Sequence, residues 1–159
     1  MKSIKIDDID LAILKALQED SRLGNNELAR RINLSQPATH SRVKKLKEQG
    51  VIEKFTAQFN HSLLGFELIC FFQVTLQVHS EDLIQKFERA VCSFDEVLEC
   101  HYLTGEFDHL IKAAFKNTQE LEQFSRNKLS TLPGVSKIIT SIVLTQLKTT
   151  SRLPEMGTV

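Results

Sequence analysis

Ten consecutive residues, Cys100 to His109 (CHYLTGEFDH), gather a thiol, two imidazoles, a phenol, a hydroxyl and two carboxylates around one glycine. A metal site there would draw on Cys100, His101, Asp108 or His109. A thiol centre would pair Cys100 with His109 as its base. Both ideas meet the same obstacle: Cys100 and His101 are adjacent, so in a strand they point to opposite faces and do not share one ion. No ligand-spacing motif and no nucleophile motif surrounds them. We therefore expect no metal, no cofactor and no enzyme. What remains is a hairpin in which Thr104 to Asp108 join two strands. Gly105 is free to take a positive φ and to leave backbone N–H groups accessible. Such a turn is either a plain connection with incidental polar residues or a receptor for a small ligand.

The bulk composition narrows the class. The chain has 159 residues, 42% of them hydrophobic and 25% charged, as in soluble globular proteins. No apolar run reaches the ~18 residues of a membrane span. The first ten residues, MKSIKIDDID, lack the apolar core of a secretion signal. A cytoplasmic protein without a membrane partner is expected. Cys70, Cys92 and Cys100 are odd in number, widely spaced and free of any CxxC, which suggests buried thiols rather than a disulfide framework. Net charge is zero, but it is unevenly spread. From Leu28 to Lys47 there are Arg30, Arg31, Arg42, Lys44, Lys45 and Lys47 and no acid, while beyond residue 55 acids outnumber bases. A local basic patch is what phosphate binding requires.

The elements that would position these groups follow from periodicity and caps. Asp7 caps a first helix with Ile9, Ile13, Ala16 and Leu17 on one face and Leu14 beside them. Gly24 breaks it, and Asn25 is expected to cap a second, short helix facing inward through Leu28, Ala29 and Ile32. Asn33-Leu34-Ser35 suits a sharp reversal, because Asn tolerates the left-handed region. Ser35 caps a third helix, with Pro37 in its first turn, Thr39, Val43 and Leu46 inward, and Gly50 at its end. The period then changes. Leu68 to Val78 alternates with Cys70, Phe72, Val74, Leu76 and Val78 on one face. A helix after Ser80 turns Leu83, Phe87, Ala90, Val91 and Phe94 inward. Strands follow at Val97–Leu103 and Leu110–Phe115, then a helix capped by Thr118 and closed by LPGV, then a strand over Ile138–Leu147. The fold class expected is α+β: a three-helix, winged-helix-like helix-turn-helix domain and a ferredoxin-like βαββαβ sandwich. The expected boundaries are 1–50 for the first domain, 51–65 for an extended linker, 66–149 for the second domain and 150–159 for an exposed tail.

Two short helices joined by so tight a turn can lay the second in a DNA major groove. Small Ala29 sits where the two must cross closely. With Val43 and Leu46 inward, Gln36, Pro37, His40, Ser41 and Lys44 face outward to reach base edges or phosphate. Arg30, Arg31, Arg42, Lys45 and Lys47 flank them to neutralise phosphates. The competing assignment is a protein-docking module, since basic amphipathic helices also serve as solvated faces.

The run DDIDLAILKALQEDSRLGNNELARRINLSQPATHSRVKKLKEQGVI, followed by a βαββαβ pattern carrying LTGEFDHLIKA and LPGV, resembles the leucine-responsive regulatory protein/AsnC family over nearly the whole chain. The Gly-x-x-Asp turn is among its more specific marks. The resemblance implies a transcription regulator that binds double-stranded DNA through its first domain. Its second domain would dimerise and sense an amino-acid effector, and homodimers would assemble further, commonly to octamers. The turn carries over as effector-binding Leu103, Thr104, Gly105 and Asp108, with the carboxylate on N–H groups and the ammonium on Asp108. Thr140 and Ser141 carry over from the last strand, and the site would lie between subunits. Thr39, where relatives often have an aliphatic residue, and the pair His40-Ser41 depart from the pattern and leave the operator sequence open.

Overall fold

The computed structural model describes residues 4–77 and 80–154; Val78, expected at the end of the first strand, lies outside them. The chain divides into two compact units. One is built on residues up to Gln58 and takes in the segment from Lys148 onward, and the other is Phe59–Leu147.

The first unit holds α1 (Asp8–Glu19), α2 (Asn25–Arg31) and α3 (Gln36–Glu48). At the start of α1 a capping box forms, in which the Asp7 carboxylate accepts from Asp10 N and the Asp10 carboxylate from Asp7 N. Ser35 caps α3, its Oγ accepting from Ala38 N and its carbonyl from the Thr39 hydroxyl. The cap of α2 differs from expectation. Gly24 occupies it in extended conformation with no side-chain bond, because Asn25 is already helical and its amide bonds instead to His40. Between α2 and α3, Asn33 takes φ 53°, and Leu34 N reaches back to Ala29 O at 3.0 Å. Ile13, Ala16, Leu28 and Leu46 form the buried centre, with Val43, Val51 and Ile52 packed against it. Val51 and Ile52 stay with this unit because their N–H groups both bond to Leu46 O after the turn at Gly50.

Thr39 is fully buried, its hydroxyl satisfied within α3. Asp10 is buried too, at 1% exposure, and sequence periodicity passes over it. Its carboxylate accepts from Arg42 Nη1 at 2.8 Å, and the same nitrogen donates to Asp7 at 2.7 Å. Arg42, hydrogen bonded above all, holds the Asp7 carboxyl below its usual range, and the two aspartates raise the guanidinium in turn.

The second unit contains β1 (Leu68–Leu76), α4 (Glu81–Cys92), β2 (Val97–Tyr102), β3 (His109–Phe115), α5 (Thr118–Gln123) and β4 (Val135–Ile142). All three strand pairings are antiparallel and the order is β2-β3-β1-β4. Cys70, Phe72, Val74 and Leu76 alternate into a core with Phe87 and Val91 of α4, Ile111, Ala113 and Phe115 of β3, and Phe124 and Leu129. The two helical segments therefore cover one face of the sheet. Asn117, not Thr118, caps α5, because its side chain in an extended residue reaches Glu120 N at 2.9 Å. The helix widens over Phe124–Leu129 into a π segment that turns both named residues into the core. The last strand starts earlier and stops sooner than its alternation suggests. Its ladder ends at Cys70↔Ile142, and Val143 N takes Ile69 O, because β1 begins at Leu68 and offers nothing beyond. Leu144 and Leu147 are left almost fully exposed.

Arg42→Ala leaves the Asp10 carboxylate without its close partner in a buried place. The first unit should lose roughly 2–3 kcal/mol, at or just below the lower end of the range for broken buried pairs, since Arg42 is part-exposed and Lys45 Nζ stands 4.0 Å from Asp10. Urea unfolding followed by circular dichroism measures it.

Candidate DNA-binding face and candidate ligand turn

The outward surface of the first unit is set by what α3 buries. With Thr39 and Leu46 inside, Gln36, Pro37, His40, Ser41, Lys44, Lys45 and Lys47 are exposed on α3, and Arg30 and Arg31 are exposed on α2. Lys44 makes only a loose contact with Glu48 at 3.7 Å, and Arg31 shares itself between Glu27 and Glu19. Lys47 lies over the Phe55 ring, 4.7 Å from its centroid. Surface contacts of this kind are weak and yield readily to a phosphate. Arg42 is the exception among the expected phosphate arms. It is half-buried and its Nη1 bridges two aspartates, so its charge is neutralised inside the unit. His40 is also less free than a bare surface histidine. The Asn25 side-chain amide lies 3.0 Å from its Nδ1. α3 therefore presents amide, hydroxyl, imidazole and ammonium groups outward, a set suited to base edges and phosphate oxygens.

In the second unit β2 and β3 are joined by the expected turn. Leu103 N donates to Asp108 O at 2.8 Å and closes it. Gly105 takes φ 139°, and a side chain there would meet nothing within 4 Å. The glycine is required by its backbone angle, not by crowding. The N–H groups of Thr104, Gly105, Glu106 and Phe107 donate to no acceptor among the described residues. Lys137 of β4 approaches the turn, 3.8 Å from the Glu106 carboxylate and 5.5 Å from the Phe107 ring centre. Four uncommitted donors with an ammonium beside them suit a carboxylate. Lys137 is a neighbour that sequence spacing does not reveal, because β4 is distant in the chain.

Asp108, expected to meet the ammonium of an effector, is bonded into the sheet within the protomer. Its backbone N–H bonds to Val74 O, and its Oδ2 accepts from Leu76 N at 2.7 Å. The β1–β3 ladder ends at Val74↔His109. The carboxylate extends that ladder by one more bond, where the backbone of the turn has already swung away. Asp108 thus ties the turn to the end of the central strand. Thr140 and Ser141 are both exposed, but they pair with Phe72 and Phe71 and so lie on opposite faces of β4. Phe72 and Leu76 stand four positions apart, roughly 13 Å along the sheet. One protomer does not bring Thr140 or Ser141 to its own turn.

The remaining groups of the opening stretch are dispersed. Cys100 is registered with buried Ile111 and faces the helices, whereas His101 is registered with Leu110 on the other face. His109 is fully buried between the rings of Phe87 and Tyr102, its Nε2 3.4 Å from Glu88. Burial pushes the Cys100 thiol up to about 11, the reverse of what a nucleophile needs. No group of three or more metal-ligating side chains is assembled among the described residues. No described helix is long and apolar enough to cross a membrane.

Comparison with known proteins agrees with both units. Residues 69–153 match the Lrp/AsnC ligand binding domain, and residues 6–53 match a winged helix-turn-helix DNA-binding family. The leucine-responsive regulatory proteins of Escherichia coli K12 and Salmonella typhimurium are each 35% identical over 148 residues, covering 93% of this chain and 90% of theirs. A transcriptional regulator from Neisseria meningitidis, solved as its L-Met complex, superposes with a TM-score of 0.87 at 33% identity, covering 93% of this chain and 96% of the other. E. coli AsnC superposes at 0.85 and 29% identity, covering 95% and 100%. A helix-turn-helix presenting basic side chains, joined to a βαββαβ sheet, matches these proteins across nearly their whole length, and the chain belongs to the Lrp/AsnC family of transcription regulators.

Proposed function

We propose that this chain reads double-stranded DNA through α3 and binds an amino acid at the β2–β3 turn, as a cytoplasmic homodimer that assembles further, with octamers as the expected form. The observation that carries the reading is the division of cations on α3: Arg42 is consumed by Asp10 and Asp7, while Lys44, Lys45 and Lys47 stay outward with Gln36, Pro37, His40 and Ser41. Arg30 and Arg31 flank them from α2. The two units divide the labour, residues 1–50 for DNA and 66–149 for ligand and assembly, with 51–65 as the connection and 150–159 as a tail. The sheet face away from the helices supports a role in assembly. Ile69, Phe71 and Leu110 are only half-buried there, and Ile139 is exposed.

The turn would take the carboxylate of an amino acid on the N–H groups from Thr104 to Phe107, with Lys137 adding positive potential. Leu103 and Gly105 shape the turn. Asp108 acts chiefly as a positioning residue, since its Oδ2 already receives Leu76 N–H. Thr140 and Ser141, being away from the turn in one protomer, would join it only from a neighbouring subunit. The Neisseria relative's complex with L-Met supports this ligand class. Binding couples to DNA only insofar as the ligand prefers one assembly over another.

Reversing Lys44 and Lys45 to Glu should abolish binding to a mixed-sequence duplex in fluorescence anisotropy. Replacing either by Ala should flatten the salt slope by about one for each phosphate no longer neutralised. Undiminished binding by the reversed protein would favour the protein-docking alternative. For the turn, isothermal calorimetry across the amino acids separates two roles of Asp108. Asp108→Asn keeps an oxygen for Leu76 N–H and should retain most affinity, whereas Asp108→Ala should lose it, with faster hydrogen exchange at Leu76. Equal loss in both variants would instead mean that the charge itself meets the ammonium.

A further inference from the structure

Neither proposed activity uses Cys92 or Cys100, yet the fold brings them together. β1 and β2 are both antiparallel to β3, so they run the same way and the connecting α4 runs back across them. Glu88 of α4 reaches His109, which is registered with Tyr102 of β2. Four residues beyond Glu88, about 6 Å along the helix, stands Cys92. Two residues before Tyr102, about 6.8 Å along the strand, stands Cys100, on the same helix-facing side. The two spacings match, and after burial the groups that raise the Cys100 thiol are Cys92 and Glu88. Accessibility is graded: Cys92 is exposed, Cys100 half-buried and Cys70 buried. Each partner also sits at an end or edge of its element. Cys92 is the last residue of α4, and Cys100 lies on an edge strand just after a register shift between Val97 and Glu99.

We propose that Cys92 and Cys100 form a reversible disulfide within one protomer when the protein meets a peroxide-class oxidant, pinning the end of α4 to the strand that leads into the β2–β3 turn. The Cys92 thiolate attacks one peroxide oxygen, the O–O bond breaks and hydroxide leaves, giving a sulfenic acid. The Cys100 sulfur then attacks the Cys92 sulfur. The S–O bond breaks, and the thiol proton departs with the hydroxide as water. Two thiols lose two electrons in total to one peroxide, and a dithiol reductant restores them by exchange. The order follows from access: exposed Cys92 meets the oxidant first, and half-buried Cys100 resolves it from within the fold. A reducing compartment makes such a bond transient, which suits a switch better than a structural staple. The pair stands independently of the ligand assigned to the turn.

The test treats the full chain with hydrogen peroxide, alkylates remaining thiols and maps peptides by mass spectrometry, with and without dithiothreitol. The expected product lacks two hydrogens, contains one Cys92–Cys100 linked peptide, leaves Cys70 alkylated only after unfolding, and reverts on reduction. Cys100→Ser should stop at a Cys92 sulfenic acid that dimedone traps, and Cys92→Ser should leave Cys100 unoxidised. Oxidation should also slow hydrogen exchange several-fold from Cys100 to Leu103. Over-oxidation of Cys92 with Cys100 still a free thiol, or a Cys92 link between two copies, would overturn the pairing. Unchanged exchange in the linked protein would overturn its role as a switch.

Discussion

A carboxylate almost sealed from water, that of Asp10, sets the orientation on which the basic face of α3 depends. An unpaired buried carboxylate is strongly unfavourable, so a cation must come to it. Arg42 of α3 does so, one turn from Thr39 and Leu46, which are packed inside. That demand rotates α3 until its buried side and its ionic clamp agree. The other cations of the helix are then placed outward by default. Asp10 also closes the capping box with Asp7, so the start of α1 and the middle of α3 are fastened at one point.

The second unit solves a related problem with a related device. β1 is paired on both edges, and its ladder to β3 runs out at Val74. Asp108 supplies one further acceptor to Leu76 N–H, so the turn is anchored even though the N–H groups from Thr104 to Phe107 donate to no acceptor among the described residues. In both units an aspartate bonds across to another element, Asp10 to Arg42 of α3 and Asp108 to Leu76 of β1. A loop with four open donors would otherwise be a mobile one. Anchoring it lowers the ordering cost of any anion it receives.

Much of this was legible in the chain alone. The order of elements, most of the inward faces of α1, β1 and α4, the caps at Asp7 and Ser35, the left-handed Asn33 and the turn around Gly105 all follow from short-range rules, because each depends on residues within a turn of helix or a pair of strand positions. The departures have equally local causes. Asn25 and Thr118 are good caps in isolation, but Asn25 is drawn to His40 across the unit, and Asn117 reaches the open N–H first. Alternation in Ile138–Leu147 continues past the point where β1 can pair with it.

The sequence by itself determined that the chain has a basic helix after a tight turn and a glycine hairpin in a βαββαβ unit, because periodicity, capping and charge order are written in neighbouring residues. Only the tertiary structure decided what individual polar groups do. It joined Arg42 to Asp10 and Asp7, bonded the Asp108 carboxylate to Leu76 N–H and set Lys137 beside the turn. Each of these outcomes rests on the meeting of residues remote in the chain or on different elements. Such meetings are chosen by packing and by the demand that buried charges and open backbone groups find partners, which local spacing does not encode.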